Sequence, residues 1–436
     1  MKISRKLIAG FMTMTMLFTA AACGGTDSKD TANGDTAGDE TTGSKSAAGN
    51  GDVIEIEFVQ GKREAGETYD KVIAAFEAKN PGIKIKQNLV PDADQVLMTR
   101  ASSDNLPDIF NHWPTNAQFI QFENEGLLLD LSDKDYLSTV NSTYLDSLKT
   151  DKGLFMIPYN LNFMGLYYNV DKFEEAGFKP PTTWQELIDI AEKIKEKGET
   201  AFVLPGKETW VISQLWGNIE SKDLGDHKDI YAKMNKGEAD FTTYPEYKTS
   251  LEKMVQLMDY ASEDSLALGY EQGINEFATG KAWMFPQGSW ALPAILKSNP
   301  DMNVAMTMMP NDAGDMKAVI APDTGLCVNA KMKDDPKKME AIDKFLAFCV
   351  SEEGAQIYTD NDKSPSCVDG ISFDVPQFKE FFDYVDAHGS VSDAAPTPTG
   401  FEDTKRSKLQ GVLLGGGIDA FLKELSADYK DSLSAN

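Results

Sequence analysis

Ile54-Glu55-Ile56-Glu57-Phe58 alternates apolar and acidic side chains with strict period two, and Ile83-Lys84-Ile85 alternates again 29 residues after Ile54 began the first run. Between the two, Val72, Ile73 and Phe76 share one face of a helix that Asn80-Pro81-Gly82 brings to a stop. Strand, helix, strand in that order argues for a parallel sheet with helical crossovers. Further along, Thr183 and Glu186 form a capping box ahead of the stripe Leu187, Ile190, Ala191 and Ile194, and Gly198 closes that helix. Asp335-Pro336 opens another helix, with Met339, Ile342, Phe345, Leu346 and Cys349 on one side. The alternation of short apolar strands with helices persists to the C-terminus, and a chain of 436 residues is long enough for more than one domain. The expected fold is α/β in two lobes.

Composition narrows the class. With 41% hydrophobic and 25% charged residues, the chain is neither disordered, collagenous nor a polytopic membrane protein. Its 69 acidic against 42 basic residues give a net charge of −27, and no basic patch offsets it, so nucleic acid is not an expected partner. Lys2, Arg5 and Lys6 precede an apolar run over residues 7–22. That run is shorter than the roughly 20 residues a membrane span needs and ends in small side chains, as a cleaved export signal does. Thr19-Ala20-Ala21-Ala22-Cys23 resembles a bacterial lipobox, with Ala20 where leucine is usual, which implies lipidation of Cys23. Residues 24–52 carry no aromatic and no aliphatic side chain larger than alanine, so residues 23–52 read as a lipidated cysteine and a flexible tether.

Several chemistries lack their residues. His112, His227 and His388 stand in no metal-ligand spacing, and no nucleophile elbow occurs. Gly61-Lys62, Gly206-Lys207 and Gly280-Lys281 each lack the serine or threonine of a phosphate-binding loop. Asp360-Asn361-Asp362-Lys363-Ser364 has Pro365 where a calcium loop needs its glycine, and reads as a solvated turn. Cys327 and Cys349 read as core residues; with Cys367 they make three, so at least one cannot pair within the chain. No metal, cofactor or catalytic residue is assigned, although a glycosidase working through two carboxylates needs no motif.

Six segments in order resemble the family 1 extracellular solute-binding proteins of sugar ABC transporters. They are Leu106-Pro107-Asp108-Ile109-Phe110, then Glu125-Gly126-Leu127-Leu128, then Ile157-Pro158-Tyr159 running into Tyr167-Tyr168-Asn169, followed by Pro181-Thr182-Thr183-Trp184, Phe277-Ala278-Thr279-Gly280-Lys281-Ala282 and Gly288-Ser289-Trp290. The resemblance implies two lobes, each a mixed sheet flanked by helices and joined by a hinge. One lobe would take residues 53–160 and 322–362, the other residues 161–321 and 363–436. It also implies a monomer, lipid-anchored on the outer face of the cytoplasmic membrane of a Gram-positive bacterium. Its partners would be a membrane permease pair and a cytoplasmic ATPase.

The residues themselves fit a sugar ligand. A pyranose offers apolar faces to aromatic rings and a rim of hydroxyls to amides and charged groups. Both kinds concentrate in Asn111-His112-Trp113, Tyr159-Asn160-Leu161-Asn162, Glu208-Thr209-Trp210 and Ser289-Trp290, which the resemblance places around an interlobe cleft. Lys62 and Arg63, just after the first strand, are similar to the loop that supplies charged ligands in this family. The candidate set is Lys62, Arg63, Asn111, Trp113, Tyr159, Asn160, Asn162, Trp210, Ser289, Trp290, Asp323 and Phe401. Trp184 and Trp283 read as structural, and Trp216 is open. The expected function is capture of a carbohydrate, of more than one ring, for transport. The alternatives are capture of a non-sugar small solute and a lipid-anchored glycosidase.

Overall fold

The computed structural model describes residues 53–90, 93–225, 227–391, 397–398 and 400–435, so the signal, Cys23 and the tether lie outside the described residues. Eleven strands among these residues form two sheets. The first contains β1 (Ile54–Gln60), β2 (Ile83–Leu89), β3 (Ile109–His112), β4 (Ile157–Pro158) and β10 (Gly325–Val328), in the order β2-β1-β3-β10-β4. The second contains β5 (Leu161–Asn169), β6 (Thr200–Phe202), β7 (Ala282–Gly288), β8 (Val304–Thr307), β9 (Ala318–Pro322) and β11 (Ser390–Val391). Its order is β11-β9-β5-β7-β6, with β8 also on β5.

The opening strand-helix-strand unit has the expected form. β1 pairs parallel with β2, Ile54 opposite Ile83, and the helix Gly66–Lys79 between them buries Tyr69, Val72, Ile73 and Phe76. The alternation of β1 fades at its end, where Phe58, Val59 and Gln60 are all buried. A central strand covered on both faces has no solvent side to mark with polar residues. Thr183 and Glu186 make the reciprocal capping box that starts the helix Trp184–Glu196, and Asp335 caps Pro336–Cys349 by accepting from the Lys338 amide.

The chain changes sheets between β4 and β5 and again between β9 and β10. A third change falls later than residue 363. Cys367 donates its amide to the Tyr159 carbonyl (3.0 Å), Asp369 to that of Thr139 (2.9 Å), and the Ser372 amide bonds Gln356 (3.1 Å), so residues 366–372 still belong with the first lobe. Beyond them the helix Lys379–His388 packs on the second sheet, with Phe381 stacked on Phe163 at 4.5 Å. Cys327, Cys349 and Cys367 are all buried free thiols. No helix among the described residues is long and apolar enough to cross a membrane.

Candidate functional site

Parallel strands end where their loops converge, and in open α/β sheets that edge is where ligands sit. β1 and β3 both run into such loops. The Gly61 amide donates to Asn111 Oδ1 (3.1 Å), which ties the two loops together. A Cβ at Gly61 would lie 2.7 Å from that of Ala93, so only glycine lets the loop press against the helix Ala93–Ser102. The half-buried Trp113 ring lies beside it. The Trp113 amide donates to His112 Nδ1 (3.0 Å), and His112 Nε2 faces Gln118 Oε1 at 3.0 Å. An N–H pointing at Nδ1 places the ring proton on Nε2. Burial lowers the His112 pKa and favours that neutral form.

Behind these loops lies a buried polar hub. Lys62 Nζ is 2.8 Å from Asp323 Oδ2 and 3.0 Å from Asp362 Oδ2. The Asn160 and Asn162 amides donate to the two Asp323 oxygens at 3.1 Å each, and the Asp323 amide returns a bond to the Asn160 carbonyl (3.0 Å). Ser364 Oγ donates to Asp362 (2.7 Å). Burial alone would push Asp323 up, but Lys62 and the two asparagine amides outweigh it and hold the carboxyl below its ordinary value. Burial likewise opposes the Lys62 charge, and Asp323 with Asp362 overrides it, so that ammonium stays charged. Asp323 belongs to the two-residue link between β9 and β10, so the hub sits on a lobe crossing.

The second lobe contributes rings. Trp210, in the first turn of the helix Thr209–Leu224, meets Tyr270 edge to face at 4.8 Å. Tyr270 opens the helix Tyr270–Ala278, and its amide donates to Glu208 Oε2 (2.9 Å). Trp290, just past β7, folds back over Gly288, where a Cβ would overlap the indole at 2.1 Å. Tyr167 Oη donates to the Gly288 and Ser289 carbonyls, both at 3.2 Å, and holds that turn. Burial raises the Tyr270 pKa, and the Glu64 carboxylate of the first lobe raises it further. Lys297 on the helix Leu292–Ser298 of the second lobe reaches Glu67 on the helix Gly66–Lys79 of the first at 2.6 Å, so the two lobes meet at that point.

The structure brings Lys62, Asn160, Asn162 and Asp323 into one bonded hub, sets Asn111 and Trp113 on the loops beside it, packs Trp210 on Tyr270, and buries Ser289 in the turn that carries Trp290. Arg63 is exposed on the short helical turn Arg63–Ala65. Tyr159 is buried, packed on Tyr358 at 4.7 Å, and supports the hub from behind. Phe401 is a correction: it is wholly buried in the second lobe, stacked on Phe241 at 5.6 Å and against Tyr429 at 4.8 Å. A proline-rich approach places it at a helix start, but the helix turns that face inward. Residues 360–364 are not a solvated turn either, because Asp362 ends the helix Glu352–Asp362 with its carboxylate buried against Lys62. Tyr270, against which the candidate Trp210 packs, is not marked in the sequence analysis. Gly269-Tyr270 repeats the pattern of Gly288-Ser289-Trp290, a small residue before a ring at a helix start, and that was the available signal.

The geometry has counterparts. The family model for bacterial extracellular solute-binding proteins matches residues 71–371. The multiple sugar-binding protein of Streptococcus mutans is 31% identical over 404 residues, covering 88% of this chain and 94% of that protein. The sn-glycerol-3-phosphate-binding periplasmic protein UgpB of Escherichia coli K12 is 27% identical over 319 residues, covering 67% of this chain and 69% of its own. Among solved structures, the solute-binding protein RafE in complex with raffinose superposes with a TM-score of 0.76 at 25% identity, covering 87% of this chain and all of that one. Matched along its length in sequence and in fold, the chain belongs to the bacterial extracellular solute-binding proteins.

Proposed function

We propose that this protein captures a carbohydrate of more than one ring between its lobes and delivers it to a membrane permease driven by a cytoplasmic ATPase. The observation that carries the reading is a buried hydrogen-bonded polar hub on the lobe crossing, with the partly exposed Trp113 beside the loop after β1 and Trp210 packed on Tyr270 in the second lobe. Flat rings cover the C–H faces of a pyranose, and fixed polar groups select its hydroxyls. The multiple sugar-binding protein and raffinose-bound RafE support the same ligand class. No bond is broken in this reading: closure of the lobes around the ligand is the output, a motion of the hinge type. Cys23 would hold the body at the membrane through its acyl chains, with residues 24–52 as the tether.

Titration calorimetry with raffinose, maltotriose, xylotriose and sn-glycerol 3-phosphate tests the proposal. At least one trisaccharide is expected to bind with a dissociation constant in the micromolar range or below. Heat from sn-glycerol 3-phosphate alone would overturn the carbohydrate reading.

A further inference from the structure

We infer that Lys222 is a pH-responsive pin in the second lobe: its amine joins the helix Thr209–Leu224 to β5 from a place without a counter-ion, so gaining a proton there loosens the lobe. The geometry begins in the sheet. β9 pairs with β5 only as far as Phe163 and β8 only from Leu166, so Met164 and Gly165 fall between these two neighbours. Their carbonyls are taken instead by one face of the helix. Asn218 Nδ2 donates to the Gly165 oxygen at 2.9 Å, and Lys222 Nζ, one turn on, donates to that of Met164 at 3.2 Å. Lys222 is 1% exposed. Its backbone is held as well, because its carbonyl accepts from the Lys317 amide (3.2 Å) and from Asn311 Nδ2 (3.3 Å).

The charges on the surrounding elements are satisfied by one another. Asp223, on the same helix, and Asp312 face Lys253 at 3.6 and 3.0 Å. Asp315 takes the Asn311 amide at 3.2 Å, and Glu220 lies 3.8 Å from His227. On the helix Phe401–Leu413, which packs against the same helix, Lys405 and Lys408 pair with Glu402 and Asp428. One carbonyl does not replace the hydration of an ammonium, whereas a neutral amine keeps the same bond at little cost. Among the described residues no carboxylate acts on Lys222: burial is the one influence, and it pushes the group down to about 7. Lys62 is the contrast, also buried but kept charged by two aspartates. Between that lowered value and the roughly 10.4 of an unfolded lysine, the folded protein has shed a proton that the unfolded chain keeps. Stability therefore rises with pH across the window, and below it the full penalty stands. The strand and the helix joined by this pin carry Asn162 and Trp210, yet no ligand enters the inference, which stands apart from the carbohydrate reading.

The test compares melting temperatures of the ligand-free mature protein, wild type and Lys222→Met, from about pH 6.5 to about pH 9.5. Methionine keeps the stem and loses the bond to Met164, a cost that does not vary with pH. The readout is therefore the change in the difference between the two proteins. Wild type should gain several degrees on the variant as pH rises. A difference that stays constant, or moves the other way, would overturn the inference. Should the variant not fold, NMR of isotope-labelled lysine in the wild type decides. One side chain should titrate with a midpoint near 7, while the others hold their protons until about pH 10. That signal should be missing from Lys222→Arg, whose guanidinium keeps its proton. No lysine titrating in the neutral range, or a signal that persists in Lys222→Arg, removes the pin.

Discussion

The two walls of the cleft are built on opposite plans. The first lobe offers a hub of charged and amide groups whose partners are almost all supplied by the protein. The second offers rings: Trp210 and Trp290, each partly exposed, and the buried Tyr270 on which Trp210 packs. A buried ion cluster is costly to assemble and costly to damage, whereas a ring resting on a glycine can be removed with little effect on its neighbours. The polar wall thus answers to stability first and the aromatic wall to affinity first.

That division can be broken by experiment. Replacing Asp323 with alanine strands part of the Lys62 charge, leaves the Asn162 amide without its acceptor and Asn160 with Ser364 alone; loss of one member of a buried pair costs about 3–5 kcal/mol. Urea unfolding measures it, and a cost near zero would erase the distinction between the walls. Phe401→Ala sharpens it from behind the second wall: truncating a buried phenylalanine should cost about 3–5 kcal/mol of stability, with the affinity of the folded fraction unchanged. Trp290→Ala should do the reverse, weakening sugar binding by roughly 2 kcal/mol, about 30-fold, with a small change in melting temperature. A large drop in melting temperature with normal affinity would move Trp290 into the core.

Acid provides a further probe of the polar wall. Because Asp323 is held below its ordinary value in the folded protein, its contribution to stability is complete above the unfolded value, near 3.9. It is lost as pH falls through the depressed folded value. Unfolding of the wild type should therefore steepen below about pH 4, and Asp323→Asn should lack that limb. The smallest effect is expected at Lys297 and Glu67, 2.6 Å apart on helices of different lobes and both exposed. Exposed pairs contribute little and are screened by salt. Lys297→Met should shift ligand affinity less than about fivefold, and 1 M salt should abolish the difference.

The fold was legible because periodicity, caps and stops all agree along the chain, as with Ile54 to Phe58, Thr183 with Glu186, and Asp335-Pro336. The placement of the candidate residues was legible in part. Rings next to glycine or polar residues at segment ends marked Trp113, Trp210 and Trp290, and all three are partly exposed in the fold. Phe401 carries a similar local signature and is buried, because which side of a helix faces inward is decided by Phe241 and Tyr429, distant in sequence. Lys62 and Asp362 are 300 residues apart, and nothing local reveals that they share a bond. Residues 366–372 stay with the first lobe for the same reason: three of their partners, Thr139, Asn141 and Tyr159, are remote in sequence.

The position of β10 bears on how the chain reaches this state at all. It lies inside the first sheet, between β3 and β4, yet more than two hundred residues separate it from β3. Until it arrives, β3 and β4 have no strand between them, and Leu326, Cys327 and Val328 are missing from the middle of the first hydrophobic layer. Pairings so distant in sequence are slow to form. A nascent or partly translocated chain ending before residue 325 therefore holds the second sheet's strands β5 to β9 but an incomplete first lobe. The second lobe is unfinished at that point too, since the helix Lys379–His388, β11 and the buried Phe401 come later still, so both lobes receive the last pieces of their cores from the C-terminal part of the chain.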